Sequence, residues 1–139
     1  MAQHIDPERD QFEIFKRLPR DKPILMLNCV RFKDRAAYGD DRDVSGAEAY
    51  AEYGRQSGPV FTRVGGSIVW RAAPECLLIG PTDEVWHVVF VARYPTAAAF
   101  LEMVTDPQYR EAVKHRQAAV ADSRLLRLAE RDGGAGFAG

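Results

Sequence analysis

Asn28 and His87 are the two polar side chains of this sequence best placed for chemistry, because each interrupts an otherwise apolar run. An imidazole titrates near neutral pH, so His87 has the intrinsic proton affinity of a general base. The Asn28 amide could orient a ligand carbonyl or an oxyanion. Arg71, Arg93 and Arg116 add planar cations, and Tyr53, Trp70, Trp86 and Tyr109 would make aromatic walls for a small organic ligand. A guanidinium taken out of water needs an anion or several acceptors. Glu52, Glu102 or Asp122 would be the commoner partner, and a ligand carboxylate fits the same fork. Each residue also has a plainer reading: Asn28 bonded to nearby backbone, His87 packed in a core or interface, His115 in solvent, the aromatics simply core.

Spacing links two of these residues. Asp106 is a good N-cap, Pro107 suits the first helical position, and Tyr109 and Arg116 lie seven residues apart. Seven residues make almost two helical turns, so both side chains leave one face of the helix. Other chemistries lack their signatures. Three scattered histidines and two separated cysteines, Cys29 and Cys76, show no metal-ligand spacing. There is no phosphate-binding glycine loop, dinucleotide fingerprint or nucleophile elbow. No metal and no cofactor is expected. Haem would need an axial ligand, for which His87 and His115 are formal candidates only.

The elements that must carry these residues follow from periodicity. Asp6-Pro7 should open a short helix with Phe12, Phe15 and Leu18 on one side. Residues 24–32 read as a buried strand and 33–44 as a charged connector. Ser45 and Glu48 form a capping box for a helix whose inner stripe is Tyr50, Tyr53, Ser57, Val60 or Phe61, and Val64, with a kink expected at Gly58-Pro59. Gly65-Gly66 should end it. A strand is expected over 67–70, resuming over 76–79, with Pro74 implying an edge position or a bulge. The strongest strand spans 85–94, followed by helices to about 104 and over 107–121, and a last strand over 123–128. The glycine-rich 133–139 tail is expected to be flexible.

This order is an α+β, ferredoxin-like βαββαβ arrangement with an antiparallel sheet and an extra N-terminal helix. It divides the chain into a helical extension over 1–22, one domain over 23–130 and a tail over 131–139. Both parities of 85–94 are mostly apolar, so neither face of the sheet suits water. A second copy of the chain is the expected cover, which gives a dimeric α/β barrel. The 139 residues carry 19 basic and 20 acidic side chains, a formal charge of −1 that offers no electrostatic footprint for nucleic acid. No apolar run approaches membrane-spanning length, and no signal-peptide pattern opens the chain, so a cytoplasmic location is expected.

Tyr50-Ala51-Glu52-Tyr53, Gly65-Gly66, Trp70-Arg71, Arg93-Tyr94-Pro95-Thr96, Asp106-Pro107-Gln108-Tyr109, Arg116 and Ser123-Arg124-Leu125-Leu126 together resemble domain-of-unknown-function family 1330. That family lies in the dimeric α/β-barrel superfamily. The resemblance runs from about Ile24 to Leu128, and the Met26–Phe32 stretch with its long connector is similar to a longer subgroup. Arg93 and Ile79 stand where the family often has acidic residues. The resemblance implies a homodimer with a cavity between sheet and helices. Related families include cofactor-free monooxygenases, muconolactone isomerases and haem-binding chlorite dismutases, so one fold serves very different chemistry.

Two expectations follow. The first is a site for a small acidic or phenolic molecule, with His87 and Asn28 as catalytic candidates and Tyr53, Trp70, Arg71, Tyr109 and Arg116 as binding candidates. If it is an enzyme, it would be a cofactor-independent monooxygenase-like or isomerase-like one. The alternative is a non-catalytic dimeric binding or structural protein without a functional pocket.

Overall fold

A computed structural model describes residues 3–137. The elements are α1 (Arg9–Arg17), β1 (Ile24–Phe32), α2 (Gly46–Arg63), β2 (Ser67–Ala72), β3 (Val88–Tyr94), α3 (Ala97–Thr105), α4 (Pro107–Ala119) and β4 (Val120–Leu128). The four strands form one antiparallel sheet in the order β2-β3-β1-β4. This is the ferredoxin-like βαββαβ topology, preceded by α1. α2 and α4 pack against each other on one face of the sheet. Among the described residues no helix is long and apolar enough to cross a membrane.

Local chemistry sets the boundaries. Ser45 Oγ accepts from Glu48 N at 3.0 Å while Glu48 Oε1 accepts from Ser45 N at 3.4 Å, so α2 begins on a full capping box. The helix runs on through Pro59. It ends at Gly65, where φ of +90° turns the chain toward β2. Asp106 closes α3 and opens α4, its Oδ1 accepting from Gln108 N at 2.8 Å and Tyr109 N at 3.4 Å. A helix is thus stopped and re-aimed within one residue.

Three sequence expectations shift. α1 starts at Arg9, after the extended N-cap residue Glu8, instead of at Asp6-Pro7; the Asp6 carboxylate accepts from Gln117 Nε2 at 3.3 Å. The strand expected over 76–79 does not form; 73–87 is an irregular connection, and Leu78 and Ile79 are each 89% exposed. β3 begins at Val88, so His87 lies just ahead of the strand. The edge position inferred from Pro74 does hold, since β2 borders the sheet. Of the 133–139 tail, residues 138–139 lie outside the described residues.

The core is divided. One apolar cluster gathers Ile24, Met26, Val60, Tyr94, Phe100 and Met103; the other gathers Val30, Ala49, Ala118 and Val120. Along β1 the helix-facing residues are Ile24, Met26, Asn28, Val30 and Phe32, because alternate side chains of a strand share a face. Asn28 therefore sits at the gap between the two clusters. Along α2, Tyr50 and Tyr53 likewise lie between Ala49 and Val60.

Candidate functional site

The gap in the core is a cleft of about 1550 Å³, open to solvent, between the sheet and α2, α4 and the N-terminal segment. Its floor follows from register. Asn28 pairs with Phe90 on one side and Leu125 on the other, and Phe90 pairs with Arg71. Residues directly opposite in an antiparallel sheet point to the same face. Leu125, Asn28, Phe90 and Arg71 thus form one row across all four strands beneath the helices.

Aromatic rings make the walls. Phe32, Tyr50, Tyr53 and Tyr109 follow one another at centroid separations of 5.2, 5.3 and 6.1 Å. The Tyr53 and Tyr109 hydroxyls share a hydrogen bond of 2.7 Å. Burial pushes the phenols of Tyr50, Tyr53, Tyr94 and Tyr109 upward, so they stay protonated and act as donors. Asn28 Nδ2 donates to Met26 O at 3.1 Å, the backbone bond expected of a strand amide, and the residue still lines the cleft.

Arg116 holds one end of the site. It donates to Ile5 O and, at 3.2 Å, to Ser123 Oγ, which donates to His4 O at 2.7 Å. His4 N in turn donates to Asp122 Oδ1 at 2.9 Å. The N-terminal segment is therefore strapped over the cleft by groups that line it. No ion pair satisfies Arg116 among the described residues. Glu52 instead takes Arg55 at 2.6 Å, and Asp122 takes Arg124 at 2.8 Å. Glu52 and Asp122 thus neutralise two other lining residues, Arg55 and Arg124, and Glu102 makes no ion pair among the described residues, so none of the three expected carboxylates pairs with Arg116.

The lining is strongly one-signed. Seven of its residues are Lys or Arg and one, Asp6, is acidic, although the whole chain carries a net −1. Arg71, Arg110, Arg116 and Arg127 have no carboxylate partner among the described residues. Arg71 makes no side-chain hydrogen bond among them either. Composition could not reveal this asymmetry, because the acids that balance the basic residues lie outside the cleft.

The structure brings Asn28, Tyr53, Arg71, Tyr109 and Arg116 to one cleft and leaves Trp70 and His87 outside it. Trp70 neighbours Arg71, so it points to the opposite face, opposite Val91. His87 closes the end of the sheet: its backbone N donates to Val30 O at 2.8 Å, and its Nδ1 accepts from Phe32 N at 2.9 Å. Tyr50 and Phe90, absent from the sequence-derived candidates, belong to the cleft. The helical stripe through Tyr50 and Tyr53 was the signal for the first of them.

A family model described as "Domain of unknown function (DUF1330)" matches residues 40–128. The match leaves out α1 and β1, and with them Asn28. A protein of unknown function from Rhodopseudomonas palustris is 56% identical, with 95% of this chain and 100% of that chain covered and a TM-score of 0.90. A methylated form of it gives 58% identity, 96% and 99% coverage, and 0.93. A cofactor-independent oxygenase from Streptomyces nogalater is 15% identical over 81% of this chain and 96% of its own, with a TM-score of 0.53, a likeness of fold alone. No curated protein matches.

The raised phenols predict an alkaline limit. Unfolded tyrosines ionise near pH 10, and the folded cleft keeps its phenols neutral above that, so stability is fully present below about pH 10 and falls as pH rises beyond it. Phenolate absorbance from the four cleft and core tyrosines should appear together with loss of circular dichroism. Ionisation of all four with the fold intact would contradict the burial argument.

Proposed function

The chain belongs to domain-of-unknown-function family 1330, whose name assigns no activity, and from the cleft itself we propose that it binds a small organic acid of aromatic or phenolic character. The observation that carries this reading is the set of lining arginines with no carboxylate partner among the described residues, Arg71, Arg110, Arg116 and Arg127; among those residues Arg71 makes no side-chain hydrogen bond and Arg116 donates only to neutral oxygens. Arg116 is half-buried, where an uncompensated guanidinium is costly, and an incoming carboxylate relieves that cost through two parallel N–H···O bonds, while the exposed Arg71 offers its donors from the rim. The aromatic walls suit a planar apolar body. Neutral phenols and the Asn28 amide supply further donors, which favours an anionic or carbonyl-bearing ligand over a cation. His87 takes no part in this reading, since its ring lies outside the lining.

The opposite face of the sheet supports a homodimer. Trp70, Val91, Leu27 and Leu126 form an apolar row across the four strands. Trp70 is 48% and Leu126 46% exposed in the single chain. A contiguous apolar sheet face of this kind calls for a cover, and a second copy supplies one by packing sheet on sheet.

Two measurements test these readings. Benzoate should raise the thermal midpoint, benzamide at equal concentration should not, and Arg71→Glu should weaken benzoate binding about threefold, ~0.7 kcal/mol, because Arg116 can still take the carboxylate. Equal responses to the acid and the amide would contradict an anion site. Light scattering should return twice the chain mass for the wild type, and Leu126→Glu should shift it toward the monomer. A monomeric wild type at micromolar concentration would overturn the sheet-on-sheet interface.

A further inference from the structure

We propose that the cleft takes a two-ended organic acid, one carboxylate on Arg71 and the other on Arg116, its apolar body lying across Asn28 and Phe90. The inference rests on the anion-site reading above and extends it to the class of ligand.

The strand register fixes the placement. The row from Arg71 through Phe90 and Asn28 to Leu125 runs from one edge of the sheet to the other. Three inter-strand steps of about 4.8 Å put roughly 14 Å between the backbones at its ends. Arg116 is anchored at the β4 edge by its bond to Ser123 Oγ at 3.2 Å. Arg71 stands on the β2 edge. The two guanidinium groups therefore enter the cleft from opposite sides, with the row of Asn28 and Phe90 between them. The tyrosines report the same arrangement: the Tyr50 phenol feels both cations, whereas Tyr53 and Tyr109 feel Arg116 and not Arg71.

Both cations have donors to spare. A guanidinium carries five N–H groups, and Arg116 makes protein bonds to two oxygens, Ile5 O and Ser123 Oγ. Arg71 makes no such bond among the described residues. A ligand with one carboxylate engages one of the two arginines, and a dianion engages both. The cleft of about 1550 Å³ has room for such a ligand. A single ring bearing one acid group would leave one edge of the floor empty.

The probes are benzene-1,4-dicarboxylate and its monomethyl ester, which share a ring and a length and differ by one charge. Calorimetric titration of the wild-type protein should show the diacid binding at least about tenfold more tightly than the monoester. Arg71→Gln should remove most of that preference while weakening the monoester, which can use either arginine, only about twofold. Equal affinity for the two probes, or a preference that Arg71→Gln leaves intact, overturns the two-ended site and leaves a one-ended anion site standing. Binding of neither probe overturns the anion-site reading itself, and this inference falls with it.

Discussion

Alternation along the central strand governs this structure. β1 is hydrogen-bonded on both sides, to β3 and β4, so its register fixes what the whole sheet presents. Met26, Asn28 and Val30 go beneath the helices, and Leu25, Leu27 and Cys29 go to the other face. A slip of one residue would exchange the two sets and expose the core. The polar residue on the helix side falls between two apolar clusters, and the cleft opens at that point. The same alternation sends Arg71 into the cleft and Trp70 away from it.

The cleft follows from what the helices place over that gap. A packed core would set aliphatic side chains opposite Asn28 and Phe90. α2 instead presents Tyr50 and Tyr53, and α4 presents Tyr109 and Arg116, large residues whose polar ends need partners. Tyr53 and Tyr109 satisfy each other, and Arg116 takes a backbone carbonyl and a serine hydroxyl. These bonds stabilise the walls without filling the space between them. Carboxylates on the same helices neutralise two lining cations at the exposed rim, Glu52 pairing with Arg55 and Glu111 with Lys114 at 2.8 Å. The positive charge left without a carboxylate partner among the described residues is on Arg71, Arg110, Arg116 and Arg127.

Much of the fold was legible in the sequence because its signals are local. The capping box at Ser45, the Asp106-Pro107 restart and the apolar runs each specify an element through neighbouring residues. The tyrosine stripe of α2 and the seven-residue spacing of Tyr109 and Arg116 were legible for the same reason, and so were parts of the cleft. What escaped is non-local. The Cys76–Ile79 stretch has strand-like composition, yet no neighbouring strand edge pairs with it, and composition alone cannot supply an edge. The bulge between Ile68 and Trp70 keeps Ile68 and Arg71 on the cleft side, a shift of register that no local pattern announces. His87 looked like a buried strand histidine, but its role at the end of the sheet depends on Phe32, 55 residues away. Pairing of the arginines likewise depends on which carboxylates fold nearby, and Glu52 and Asp122 fold beside Arg55 and Arg124 instead of Arg116.

In the proposed function the guanidinium groups of the cleft receive an anion. Nuclear magnetic resonance of the arginine side-chain Nε–H groups during a benzoate titration tests it most directly. Saturable shifts are expected at Arg71 and Arg116, accompanied by the Asn28 amide, while Arg9, Arg17 and Arg63 outside the cleft stay still. Shifts that rise without saturating, or that appear on the outer arginines and not on Arg71 and Arg116, would contradict it.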